Sequence, residues 1–184
     1  MYDTSLSLRQ RLKLATGPAH VSLEARIGPL TTQLAYNEYV RGLHAFRSAA
    51  EDWLSAQDTH GFGAWKPQRI SHHLSNDISD LALTPLSVSG LDWAQRDWSY
   101  AMGVHYVLEG SALGARILCK QVEELGMHRE HGARHLWAQA ETLEGWRGFL
   151  DLLMQHDGDE EALFAGANAA FDAAAGAMER AAHV

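Results

Sequence analysis

Tyr106-Val107-Leu108-Glu109-Gly110-Ser111-Ala112-Leu113-Gly114-Ala115-Arg116-Ile117 is the stretch on which the fold turns. It lies inside a helical pattern that runs from Asp92 to about Leu125 without a proline, with Gly126 well placed to stop it. Yet it carries two glycines, Gly110 and Gly114, one turn apart on the same face. Each costs ~1 kcal/mol relative to alanine in a helix interior. Two causes are compatible with that cost. A partner helix packs very close, or a flat ligand lies on the backbone. A helix this long with two interior glycines is expected to kink there.

The rest of the chain is helical too. Leu6, Leu8, Leu12, Ala15, Ala19, Leu23 and Ile27 recur at helical spacing. Ser5 or Ser7 is a candidate cap, and Gly28-Pro29 an end. Gly17-Pro18 predicts either a kink or a second start at Pro18. A second helix is expected from Tyr36 to about Gln57, with Asn37 as a candidate cap, and a loop over 59–63. A third spans about Pro67 to Leu83, and residues 84–90 connect it to the long segment. After Gly126 the chain reads as loop-like to about Gln139, with room for short helical turns. A fifth helix follows from Glu141 to His156, with Leu143, Trp146, Phe149, Leu150 and Leu153 inward. Asp159 is placed to cap an alanine-rich last helix. Strand alternation and long repeats are absent from the sequence. The expected fold is all-α: one domain over residues 1–184, a bundle of about six to eight helices with a kink in the longest.

Composition narrows the function. A hydrophobic content of 46% supplies a core, and six tryptophans argue against disorder. The net charge of -8 and pI near 5.7 disfavour a nucleic-acid partner. No apolar run reaches the ~20 residues of a membrane span, and the polar start Met1–Ser5 is not a signal peptide. The single cysteine, Cys119, rules out an internal disulfide and fits the cytoplasm as the expected location. In its apolar context it reads as a buried thiol. The clusters His72-His73 and His128/His131/His135 lack zinc-site spacing.

One constellation carries chemistry. His20 lies on the apolar side of the first helix, and Glu24 is one turn later on the same face. A carboxylate so placed orients an imidazole and leaves its other nitrogen free for a metal. An ordinary surface pair has the same spacing.

The pattern Leu8-Arg9, Thr16, His20, Leu23-Glu24, followed by Tyr106-Val107-Leu108-Glu109-Gly110-Ser111 and Leu113-Gly114, resembles the heme oxygenase family. It is most similar to the bacterial, biliverdin-producing branch, where Glu-Gly-Ser-x-Leu-Gly is typical, and the likeness covers most of the chain. The resemblance implies a helical bundle holding heme between a proximal helix and a kinked distal helix. His20 would bind the iron, supported by Glu24. Gly110 and Gly114 would bring the distal backbone over the heme face, with Ser111 between them in the catalytic set. Lys13 or Arg9, and Arg147, would meet heme propionates. Trp146 and Phe149 are candidates to wall the pocket.

The implied activity is oxidative cleavage of heme, cofactor and substrate at once, with O2. Its products are biliverdin, carbon monoxide and ferrous iron. No flavin or nicotinamide fingerprint is present, so the electrons come from an external donor, a ferredoxin or a flavoprotein reductase. A bacteriophytochrome is a candidate acceptor of biliverdin. Ser111 stands where mammalian members carry an aspartate that organises distal water, so Ser111, Arg116 or another side chain must anchor that water. Ala115 replaces a common glycine and is expected to narrow the distal pocket. His105 packs or reaches solvent, and Glu109 points away from the heme. Two other readings stay open: a heme carrier or sensor of the same fold without turnover, and a different enzyme on a related bundle, as in the thiaminase-like proteins.

Overall fold

The computed structural model describes residues 5–57, 62–87, 91, 93, 97–141 and 143–183. Among these the chain forms eight helices: α1 (Leu8–Ile27), α2 (Gln33–Ser55), α3 (Ser71–Asp80), α4 (Trp98–Gly110), α5 (Ala112–Glu123), α6 (Arg134–Ala140), α7 (Glu144–Met154) and α8 (Glu160–Ala182). The only extended pairings among the described residues are isolated bridges from His128 to His131 and to Gly132. The all-α expectation holds, and α4, α2 and α1 all pack on α8.

The centre of the bundle is the crossing of α4 and α8. A Cβ added to Gly103 would be driven into the Leu163 carbonyl and would lie 2.7 Å from the Ala167 nitrogen. One added to Gly166 would be driven into the Tyr100 carbonyl. Only glycine lets the two backbones approach this closely. Ala101, Ala167, Ala170 and Ala174 continue the buried small-residue face. Around this crossing Leu12, Phe46, Met102, Phe149, Leu153 and Leu163 form one apolar cluster, and a second gathers Tyr36, Tyr39, Ile70, Leu74, Ala115, Cys119 and Leu136.

Helix ends with local caps match the sequence reading. Ser7 forms a reciprocal capping box with Gln10 at the start of α1, and Gly28 closes that helix at φ 61°. Asp159 accepts from the Glu161 and Ala162 nitrogens at 2.8 and 3.2 Å, and Gly126 ends its segment at φ 82°. Pro18 neither breaks α1 nor starts a second helix. It lies on the exposed side, as does Leu14, whose carbonyl loses its amide partner to the proline but faces water.

Other ends differ from the expectation, some through a local cap and some through a distant group. α2 starts at Gln33, because Thr32 accepts from the Ala35 nitrogen at 3.2 Å; Asn37 is inside the helix. α3 begins at Ser71, not Pro67, because buried Glu51 reaches over from α2. Its carboxylate accepts from the Ile70 nitrogen at 3.0 Å and from the Ser71 hydroxyl at 2.7 Å. The stretch before Gln139, expected as loop-like with short helical turns, contains the seven-residue α6. Asp77 of α3 caps it, accepting from the Arg134 and His135 nitrogens at 2.8 and 3.1 Å. α7 is shorter than Glu141–His156 by residues at each end. The expected start of the long helix at Asp92 lies outside the described residues, as do 59–61 and 88–90; α4 begins at Trp98, capped by Asp97.

Candidate functional site

α1 and the α4–α5 segment are tied at two points. The Tyr106 hydroxyl interacts with the side chain of buried Thr16, and the Leu30 nitrogen donates to Gln121 Oε1 at 3.3 Å. Thr16 to Leu30 and Tyr106 to Gln121 are nearly equal lengths of chain, each roughly 20 Å at a helical rise of about 1.5 Å. The two ties therefore fix a parallel register. Counted along that register at about 1.5 Å per residue, His20 falls opposite Gly110 one turn beyond the first tie, and Glu24 opposite Gly114. Between the ties α1 is seated on α8 and α7, while its backbone keeps apart from that of α5.

His20 stands at this gap with 55% of its side chain exposed. Its Nδ1 is 3.5 Å from Glu24 Oε2, and its ring meets Phe171 of α8 edge-on at 5.6 Å. The carboxylate and the aromatic ring orient the imidazole, and Nε2 lies on the side away from Glu24.

Opposite, the long helix breaks at Ser111, so the expected kink is present as a division into α4 and α5. The Trp146 ring lies 3.6 Å from where a Gly110 side chain would begin, whereas nothing lies within 4 Å of such a position at Gly114. Neither glycine admits a close helix, in contrast to Gly103. Leu113 and Ile117, on the same exposed part of α5, add apolar surface at 49% and 64% exposure.

The break is held from behind. Ser111 Oγ donates to the Leu108 carbonyl at 2.6 Å and accepts from Gln139 Nε2 at 2.6 Å. The same carbonyl accepts from Arg47 Nη1 at 3.1 Å, and buried Arg47 pairs with Glu51 at 2.9 Å. Beside it, Glu109 is buried and accepts from the Gln68 nitrogen at 2.7 Å; burial pushes its carboxyl up to about 7. His105 is buried edge-on between Phe62 and Trp65, each at 5.1 Å, and burial lowers it to about 3, so it is neutral. Both face away from the gap. The Cys119 thiol is buried and pushed up to about 11.

Comparison with known proteins bears on this geometry. The chain is 29% identical over 189 residues to the heme oxygenase PigA of Pseudomonas aeruginosa, covering 97% of this chain and 95% of that protein. Its fold matches a heme oxygenase of Neisseria meningitidis, solved with NO and CO bound, at a TM-score of 0.80 and 23% identity over 97% of this chain and 94% of that one. The chain is thus similar to heme oxygenases over nearly its whole length, and it has the heme oxygenase fold. No family model matches it.

Measured against the heme oxygenase resemblance, several residues fall elsewhere than expected. Phe149 has no exposed surface and stacks behind Trp146 at 5.9 Å, so it supports the wall without being one. Ala115 is buried with Cys119 and Val122 and does not narrow the gap. Arg116 donates to the Ala140 carbonyl at 3.0 Å and is no water anchor at Ser111. Arg9 lies over the outer side of the arrangement, 5.9 Å from the Trp146 ring centre. Lys13 and Arg147 are exposed, on α1 and α7. Tyr106, Phe171 and Gln139 were not singled out from sequence. Their apolar or helical positions were visible, but their contacts join distant segments.

Among the described residues no cluster of three metal-ligating side chains exists. An iron already held by a porphyrin needs only an axial imidazole, so a lone oriented histidine facing an open glycine backbone fits heme.

Proposed function

We propose that this protein is a heme oxygenase that cleaves heme to biliverdin, carbon monoxide and ferrous iron, consuming O2 and electrons from an external donor. Two observations support this reading: His20 is oriented by Glu24, and the long helix breaks beside a Gly114 that nothing covers. The similarity to PigA over nearly the whole length supports it.

When bound, heme supplies the iron that activates oxygen and the macrocycle that is oxidised. The chain supplies the rest. His20 Nε2 would bind the iron, with Glu24 holding the ring through Nδ1. Gly110 and Gly114 allow backbone to approach the opposite face. Leu113 and Ile117 exclude water from an apolar edge. Arg9 or Lys13, and Arg147, are the candidate cations for the propionates. Ser111 commits its proton to Leu108, so the proton for oxygen chemistry arrives through water rather than from this hydroxyl.

The domain spans residues 1–184 and acts in the cytoplasm, with a ferredoxin or flavoprotein reductase as electron donor and a bacteriophytochrome as a biliverdin acceptor. None of the described helices is long and apolar enough to cross a membrane.

The test is spectroscopic. Hemin added to the protein gives a Soret band. A reductase system or ascorbate under air should then bleach it and yield biliverdin, identified by chromatography. A Soret band that survives this treatment would leave a carrier. His20→Ala should alter the Soret position and spin state; an unchanged spectrum removes His20 as the ligand.

A further inference from the structure

Three consecutive residues at the end of α6 hold the helix break from one side. The Ala138 carbonyl accepts from Gln68 Nε2 at 2.7 Å, and the Gln68 backbone in turn binds Glu109 in the last turn of α4. Gln139 Nε2 donates to Ser111 at the break itself. The Ala140 carbonyl accepts from Arg116 on α5. One short helix is thus bonded before, at and after the kink. Of the three bonds, only that of Gln139 touches the residue where the helix changes course, and Gln139 is 3% exposed.

A hydroxyl has one proton and two lone pairs. The Ser111 proton goes to Leu108, and one lone pair takes the Gln139 amide. A single acceptor site is left toward the gap. Were the Gln139 donor lost, the hydroxyl would be free to rotate, and one tie across the break would go.

We propose that Gln139 is a positioning residue: by donating to Ser111 it leaves that hydroxyl only an acceptor toward the ligand and holds residues 110–114 over the heme, so that it helps set which edge of the macrocycle is oxidised. This rests on the heme oxygenase reading. Gln139 touches no substrate and acts through Ser111.

The test compares wild type with Gln139→Leu, Gln139→Glu and Ser111→Ala. In ligand-free protein, Gln139→Leu should speed amide hydrogen exchange at 112–114 by roughly five- to tenfold, the factor for one lost hydrogen bond. In the hemin complex it should move the acid–alkaline transition of the ferric spectrum by about half a unit to one unit, and change the ratio of biliverdin isomers. Gln139→Glu, an acceptor of the same length, should not restore wild-type values. Ser111→Ala should reproduce the Gln139→Leu effects, and the double variant should be no worse than either single one. Wild-type exchange, transition and isomer ratio in Gln139→Leu would overturn the proposal. So would a folded Gln139→Leu protein that merely fails to bind hemin, since that is a structural loss. If Gln139→Leu does not fold, Ser111→Ala removes the same bond without a buried truncation, and wild-type values there overturn it equally. If wild type itself neither binds nor degrades hemin, the functional reading fails, and the exchange measurement still decides whether Gln139 holds the break.

Discussion

The two ends of the α4–α5 segment both carry glycine, for opposite reasons. At Gly103 the glycine is covered by the backbone of α8, and a side chain there has nowhere to go. At Gly114, eleven residues later in the same segment, a side chain would meet nothing within 4 Å. Helical glycine is costly in both places. In the first, the cost is offset inside the ligand-free protein by close packing of two helices. In the second, nothing in the protein itself offsets it, which is the mark of a surface kept bare for something that comes later. Spacing alone does not separate these cases; the surroundings do.

The contrast is sharpest in its stability consequences. Gly103→Ala places a methyl on the Leu163 carbonyl and is expected to cost about 3 kcal/mol or more, as overpacking between backbones that cannot yield. Denaturant unfolding would show it, and a variant within about 0.5 kcal/mol of wild type would mean that α8 moves aside freely.

At the junction of the two regions, Glu109 gives an intermediate effect with a pH signature. Its carboxyl is raised by burial from an ordinary 4.5 to about 7. Between those values the folded protein holds a proton that the unfolded chain has released. Stability from this group is therefore present below about 4.5 and is lost as pH rises to about 7. Glu109→Gln, which keeps an acceptor for the Gln68 amide, should flatten that part of the stability profile. An unaltered slope would show that Glu109 is not its source.

The smallest effect on stability is at Gly114, with the opposite sign to Gly103. Gly114→Ala should leave the ligand-free protein unchanged or stabilise it by up to ~1 kcal/mol. The same variant should weaken hemin binding or alter the biliverdin isomers. A marked loss of stability would show that the Gly114 face is packed, and would erase the contrast.

What the sequence made legible follows from how far each interaction reaches. Ser7, Gly28, Gly126 and Asp159 bond within a few residues, and their roles were readable. His20 and Glu24 sit on one turn and were readable as a pair. Glu51 capping α3 and Asp77 capping α6 join segments far apart in sequence, so the start of one helix and the bounds of the other were not readable. Which way Ala115 and Arg116 face depends on the phase of α5 after the break, which no local spacing records. Phe149 and Trp146 are equally apolar neighbours on α7, yet only Trp146 reaches Gly110. Gly103 and Gly166 are unremarkable one at a time; their meaning lies in their meeting.

Pro18 carries one last consequence. α1 is tethered at Thr16 and again just past its end at Leu30, and between those tethers the proline leaves one rung of the helical ladder unmade, two residues from His20. A rod pinned at both ends and notched near its working point bows there first. The histidine thus sits beside the rung of α1 that the proline leaves unmade, where the backbone has least to lose by bending.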